Sequence, residues 1–359
     1  MQAGRRELRA ATATIRCLPP SSKTRVAIIG VGAFGRNHTR VVSTIAQSGE
    51  AVELAGVLDT NSARARAVAG EFKTHTFTTL QELSGKVDAA CAAVPTVEHL
   101  RVARALMEMG IDVLIEKPLA PTLAEADELI SIARQTGRIA QVGHLERFNP
   151  AVRACAPLVT TPMFFEVHRL SVFTPRSLDI DVVLDLMIHD LDIVLSFVRS
   201  PLKEVRAVGL PILTAKVDIA NVRLEFESGC VANLTASRVS TERVRKLRFF
   251  QPRQYISVDY SRQDVLVFSV DPNARGAPAT DIKPGVTASP NPGIGVQKPH
   301  VANEEPLEAE LRAFINSVRT RSEPVVPLEA GRRALSAALE ILAEIHAHGQ
   351  RINLTAVRG

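Results

Sequence analysis

Three glycines, Gly30, Gly32 and Gly35, sit directly after the apolar run Val26 to Ile29 and at the head of the helix-like stretch Phe34 to Ala46. No other feature restricts the fold of this chain so tightly. At this spacing Gly30 permits a tight turn, Gly32 leaves bare backbone for a ligand to approach, and Gly35 lets the helix start close against the strand. Together with Ala33 and Phe34, this turn aims unpaired backbone N–H groups and a helix dipole at one point, the arrangement that holds a pyrophosphate. A second apolar strand, Val52 to Leu58, runs straight into Asp59, whose carboxylate suits the hydroxyls of an adenosine ribose and repels a 2′-phosphate. NAD is therefore the expected cofactor, with NADP left open by Arg64 nearby.

From Arg25 onward, strand-like runs alternate with helix-like stretches. Val87 to Val94, Ile111 to Ile115 and Ile139 to Val142 are separated by Val97 to Met109 and Leu123 to Gln135. Parallel strands require such crossovers, so residues 25–143 are expected to form an α/β, doubly wound Rossmann domain. Pro95, Glu116 and Lys117 follow strand ends on its carboxyl edge, where open α/β sheets bind ligands, and complete the expected cofactor set. Beyond Gly143 the pattern becomes β-rich, with turns such as Glu227-Ser228-Gly229 and one helical stretch, Leu184 to Val198. Residues 144–303 are expected to be an α+β substrate and oligomerisation domain, with residues 271–298 a long Pro/Gly-rich surface loop. Two amphipathic helices in 304–359 are expected to pack across both domains.

The net charge of +5 invites a nucleic-acid partner, but Arg5, Arg6, Arg9, Arg16 and Lys23 stand against Glu7 alone in residues 1–24. That segment reads as a disordered basic leader. The rest is close to neutral, so its charge balance points away from nucleic acid. Four scattered cysteines give no metal-ligand pair or disulfide ladder, and no apolar run reaches the roughly 18 residues of a membrane span. A cytoplasmic protein with reduced thiols, no metal and no membrane insertion is expected.

Lys117, in Glu116-Lys117-Pro118, is aimed at the cleft from the end of its strand. Asp185 and His189 are four residues apart, so on a regular helix they share a face, flanked by the apolar runs Val182 to Leu184 and Ile193 to Leu195. The glycine turn, Glu-Lys-Pro and Asp-x-x-x-His, in this order, resemble the glucose–fructose oxidoreductase and inositol dehydrogenase family over essentially everything from Arg25. That resemblance implies a Rossmann domain followed by an open-faced, mainly antiparallel sheet, with Lys117, Asp185 and His189 at the catalytic positions. Val142 to Pro150 and Leu184 to Asp192 are most similar to its branch of UDP-N-acetylglucosamine 3-dehydrogenases of lipid A precursor synthesis. Met187 departs from the wider family, in which a glycine commonly stands two residues before the histidine.

The expected reaction is NAD-dependent oxidation of a sugar secondary alcohol, the 3-hydroxyl of UDP-N-acetylglucosamine, with His189 as base and Lys117 stabilising the alkoxide; these two roles could be exchanged. Asp185 would orient the imidazole and favour its charged form. Arg147, Arg169 and Arg238 are candidate cations for the sugar nucleotide, with Asn149 and His168 as neutral hydrogen-bonding partners; each also suits a structural role. The resemblance implies a homodimer or homotetramer, because an open sheet face needs covering, and coupling to a sugar aminotransferase. Oxidation of a free polyol, inositol or another hexose derivative is the alternative, and a non-catalytic NAD-sensing protein the second alternative.

Overall fold

The computed structural model describes residues 23–174, 180–270, 286–288 and 293–352. Residues 1–22 of the expected leader lie outside them, and Thr24 already belongs to the first strand. The N-terminal unit runs β1 (Thr24–Ile29), α1 (Ala33–Gln47), β2 (Val52–Leu58), α2 (Ser62–Phe72), β3 (Thr76–Phe77), β4 (Ala89–Ala92), α3 (His99–Glu108), β5 (Asp112–Glu116), α4 (Leu123–Thr136) and β6 (Ala140–Gly143). Its strands are all parallel in the order β3-β2-β1-β4-β5-β6. Strand order reverses between β1 and β4, which opens a crevice above their carboxyl ends. Helices cover both faces, so β4, Ala-Ala-Cys-Ala, is buried at every residue and has none of the alternation of a half-exposed strand. Helix boundaries follow local chemistry: Thr122 caps α4 by accepting from Glu125 N–H at 3.2 Å, and Gly137 ends it in the left-handed region.

The second unit begins with α5 (Pro150–Cys155) and β7 (Phe164–Leu170). A π-helical turn, Val183–Met187, leads into α6 (Ile188–Val198), followed by β8 (Leu202–Leu210), β9 (Ile219–Phe226), β10 (Val231–Ser237), β11 (Val244–Gln251), β12 (Gln254–Asp259), β13 (Asp264–Val270), β14 (Val286–Ala288) and β15 (Ile294–Gln297). The nine strands lie in the order β14-β15-β13-β12-β11-β7-β10-β9-β8. Pairing is antiparallel except between β7 and β10, which the intervening helix and strands allow to run side by side in the same direction. The stretch 271–298, expected to be one loop, contains β14 and β15 where it is described; runs of three and four residues are too short to stand out from their Pro/Gly-rich surroundings.

One face of this sheet packs into a core with Phe165, Val167, Leu234, Leu247 and Phe249, under Val183, Met187 and Leu191 from the helical layer. The opposite face carries the alternate residues. Two closing helices, α7 (Pro306–Thr320) and α8 (Leu328–Arg351), tie the units together. Leu311, Phe314, Ile315 and Val318 of α7 complete the Rossmann core beside Val41 and Ile45 of α1. Ala330 and Leu335 of α8 join the core beneath β5 and β6, whereas Ala338, Ile341 and Ile345 of the same helix enter the core of the second sheet. Gly331 makes the approach to β6 possible: a Cβ there would meet Val142 Cγ2 at 2.7 Å.

Candidate active site

The glycine turn at the β1–α1 junction is shaped by the contacts its residues avoid. Gly30 has φ +83°, and a Cβ on it would strike the Ala93 carbonyl oxygen at 2.5 Å; a Cβ on Gly35 would lie 1.8 Å from the Gly30 carbonyl oxygen. Around Gly32 there is nothing within 4 Å, so its backbone faces open space at the crevice. That combination, a turn closed on the protein side and bare toward the crevice, fits a dinucleotide pyrophosphate. Ala33 and the 59% exposed Phe34 begin α1 beside it, and exposed Pro95 precedes the short turn after β4.

Asp59 is more committed than its sequence position suggests. Its carboxylate accepts from Val31 N–H at 2.8 Å and Asn61 N–H at 2.8 Å, tying the end of β2 to the glycine turn, and it pairs with Arg64 through Nε at 3.0 Å and Nη2 at 2.8 Å. Burial pushes its pKa up, but the Arg64 guanidinium and these backbone donors outweigh burial and hold it below the ordinary value.

Lys117 follows β5 and precedes a cis peptide bond to Pro118. The ring of His99 lies between the carbonyl oxygens of Val94, 3.0 Å from Nε2, and Pro118, 3.0 Å from Nδ1, fastening the loops after β4 and β5 to each other. Glu116 faces inward: Oε1 lies 2.6 Å from His38 Nε2 on α1, and Oε2 accepts from the Lys117 N–H at 3.3 Å. Burial pushes the Glu116 pKa up, but His38 and the Lys117 charge outweigh it and favour the carboxylate. On α7 beneath the crevice, Glu310 is 1% exposed with no hydrogen-bond partner on either oxygen. Burial, then the charge of Glu116, pushes its pKa well up.

The structure brings Lys117, Asp185 and His189 together, but not in the expected pairing. Lys117 Nζ, on a side chain only 11% exposed, donates to the Asp185 carbonyl oxygen at 2.7 Å and approaches its Oδ1 at 3.4 Å. Asp185 makes no hydrogen bond to His189. Asp185 lies in the π turn Val183–Met187, and both its carbonyl oxygen and its carboxylate are turned to the Lys117 ammonium instead. Asp185 thus positions Lys117 rather than the imidazole. His189 Nδ1 is buried without a partner, while Nε2 remains accessible. Burial, followed by the charges of Lys117 and Arg169, pushes the His189 pKa well down, so the ring is neutral, opposite to the expected charged form.

The proposed sugar-nucleotide cations are spent internally. Arg147 grips Asp192 through Nε at 2.5 Å and Nη2 at 2.9 Å. Arg169, 2% exposed, holds Asp190 at 2.5 and 2.9 Å and Glu146 at 3.0 Å. Arg238 donates to the Ile180 carbonyl and lies 3.4 Å from Asp218. Asn149 caps α5 and donates to Glu146 at 3.1 Å and to the Tyr260 carbonyl at 3.1 Å. His168 is on the outer face of the sheet, because strand alternation puts its neighbour Arg169 on the inner one. Two residues the sequence did not single out stand at the site instead. His144, buried with neither ring nitrogen bonded, is close enough to feel the charge of Lys117, and Arg245 acts on His189 in the same way.

A glycine turn at a strand-order reversal, with an ammonium and a neutral imidazole on the rim of the same crevice, defines a dinucleotide-dependent oxidoreductase. A profile described as an oxidoreductase family with an NAD-binding Rossmann fold matches residues 24–144, and one for the GFO/IDH/MocA C-terminal domain matches residues 164–256. The chain belongs to the GFO/IDH/MocA family of NAD-binding oxidoreductases. It is 37% identical over 328 residues to a UDP-N-acetylglucosamine 3-dehydrogenase from Acidithiobacillus ferrooxidans, an alignment that spans 91% of this chain and 99% of that protein. The solved structure of that enzyme superimposes with a TM-score of 0.80 at 34% identity, covering 90% of this chain and 98% of the other. An inositol 2-dehydrogenase from Paenarthrobacter aurescens is 28% identical over 225 residues, 58% of this chain and 66% of its own length. A scyllo-inositol dehydrogenase structure from Lactobacillus casei with bound NAD(H) shares the fold, with a TM-score of 0.72 at 16% identity over 91% of this chain and 98% of that one. Among the described residues no helix is long and apolar enough to cross a membrane.

Proposed function

We propose that this enzyme oxidises the 3-hydroxyl of UDP-N-acetylglucosamine to a ketone. The observation that carries the chemistry is the accessible Nε2 of a neutral His189 beside the Lys117 ammonium. An alcohol oxidation needs a group that takes the hydroxyl proton and a positive charge that steadies the oxygen as the proton leaves. His189 can accept at Nε2 only while neutral, and burial keeps it so. Lys117, anchored by the Asp185 carbonyl, faces the same oxygen and stabilises its developing negative charge. NAD, held by Gly30, Gly32, Ala33, Phe34 and Gly35 with Asp59, Pro95 and Glu116 around it, supplies the hydride acceptor when bound. Similarity to the A. ferrooxidans enzyme over nearly its full length supports the choice of substrate and carbon.

The test is mass spectrometry of UDP-N-acetylglucosamine incubated with the enzyme, NAD and a glutamate-dependent 3-transaminase that draws the oxidation forward. A 3-amino sugar nucleotide is the expected product, and Lys117→Ala and His189→Ala keep NAD binding while losing about 100-fold or more in turnover. No product from a preparation that binds NAD and oxidises inositol would sink the substrate assignment; normal turnover in both variants would sink the mechanism. Coupling to an aminotransferase in the cell is part of this reading.

The outer face of the second sheet supports a homodimer or homotetramer. Phe164, Phe250, Tyr255 and Phe268 form a ladder across four adjacent strands, with ring centroids 5.7, 4.9 and 5.4 Å apart, on the face turned away from the core. Sedimentation of the purified chain as a monomer would overturn this. A cytoplasmic setting is supported by Cys91, Cys155 and Cys230, all buried and unpaired.

A further inference from the structure

The inner face of β7 and β11 carries matched pairs across the strands: Phe165 faces Phe249, Val167 faces Leu247, and Arg169 faces Arg245. The first two pairs are buried core. The last puts two like charges directly opposite each other at the end of the sheet nearest His189, an arrangement that disfavours folding unless each charge is answered. Arg169 is answered by Asp190 and Glu146. Arg245 is not: among the described residues it has no carboxylate in contact, and its half-buried side chain keeps a buried Nε with no acceptor. Its situation differs from that of the other cations around the site, since Lys117 has Asp185, Arg147 has Asp192 and Arg238 has Asp218. With no carboxylate in contact, and only the longer-range attraction of Glu146 and Asp190, the Arg245 charge beside the imidazole is left open to a ligand.

We propose that Arg245 recognises the anionic part of the substrate, its guanidinium donating as a fork to phosphate oxygens of the sugar nucleotide. The inference rests on the reading of the substrate given above and gives to Arg245 the diphosphate role that Arg147, Arg169 and Arg238 are not free to play. Burial and the facing charge of Arg169 outweigh the attraction of Glu146 and Asp190 and push the Arg245 pKa down, a penalty that an arriving phosphate would offset. Exposed Arg243, just before β11, adds to the positive field that would draw such an anion in.

The experiment is titration calorimetry on the NADH-loaded full chain with UDP-N-acetylglucosamine, uncharged N-acetylglucosamine and inorganic pyrophosphate, for the wild type, Arg245→Gln and Arg245→Lys. Arg245→Gln should weaken UDP-N-acetylglucosamine and pyrophosphate by about 10- to 100-fold, the worth of a hydrogen bond to a charged group, while NADH and N-acetylglucosamine bind as before. Arg245→Lys keeps the charge and loses the fork, so it should fall between; it also carries the test if the glutamine variant fails to fold. Wild-type affinity for UDP-N-acetylglucosamine in the variants overturns the inference. Pyrophosphate binding that depends on Arg245, with no binding or turnover of UDP-N-acetylglucosamine, overturns the substrate reading and leaves the anion site standing. Turnover of UDP-N-acetylglucosamine that is indifferent to Arg245 does the reverse.

Discussion

Glu310 offers a sharp test of the electrostatics beneath the crevice. It lies in the core between α7 and the Rossmann sheet, with both carboxyl oxygens unpartnered and Glu116 close enough to repel its charge. In the folded protein it is therefore held protonated well above the ordinary carboxyl range, whereas in the unfolded chain it ionises near pH 4.5. A raised folded pKa means that the stability associated with the neutral carboxyl is fully present below the unfolded pKa and is lost as pH rises toward the folded one. In that window one proton separates the two states, and the wild type loses about 1.4 kcal/mol per pH unit from this group. Glu310→Gln is nearly isosteric and never ionises, so it removes that slope. Near pH 4.5 the two proteins should agree within about 1 kcal/mol, since each buries one neutral polar side chain. Between pH 5 and 7 the variant should gain on the wild type by up to about 2.7 kcal/mol. Urea unfolding of both proteins at pH 5, 6 and 7, with the slopes compared to verify equal surface exposure, measures this directly. Parallel stability curves would refute the reasoning, because they would mean that Glu310 is ionised and satisfied in the fold.

The glycine turn predicts two different failures. Gly35→Ala forces a Cβ to within 1.8 Å of the Gly30 carbonyl and should disrupt the fold of the turn, seen as a lowered Tm without any ligand. Gly32→Ala meets no protein atom within 4 Å and should leave Tm unchanged while weakening NAD by about 10-fold or more in a fluorescence titration. The depressed pKa of His189 predicts that kcat/KM shows no inflection at 6.5, the ordinary histidine value, and falls only at lower pH, where the base becomes protonated; a limb at 6.5 would refute the assignment of that base.

What could be read from the chain without its structure was whatever is local. The glycine turn and the strand–helix rhythm depend on neighbours within a few residues, and both were legible. The pairing within the site was not. Asp185 and His189 have the spacing of a helical pair, but nothing within a few residues shows that Lys117, 68 positions away in sequence, claims Asp185 first. Arg147, Arg169 and Arg238 were attractive as anion binders because nothing local reveals that Asp192, Asp190 and Asp218 claim them first. His168 and Arg169 are neighbours in sequence, and only the strand's burial and pairing show which of them faces the core. Arg245 became visible only through the register that sets it opposite Arg169, and Glu116 and His38 meet across 78 residues of sequence.

The helices that close the chain bear on how it folds during synthesis. A ribosome delivers the Rossmann strands first, at about 5–20 residues per second, and N-terminal domains commonly fold as they emerge. Here Leu311, Phe314, Ile315 and Val318 fill the groove over α1, and Val326, Leu328 and Leu335 close the layer below β5 and β6. A nascent chain ending before residue 306 carries every strand of the cofactor domain yet leaves those apolar surfaces bare. The domain made first is thus completed only once residues 306–335 have followed it, and until then its unfinished faces are the ones on which a chaperone would act.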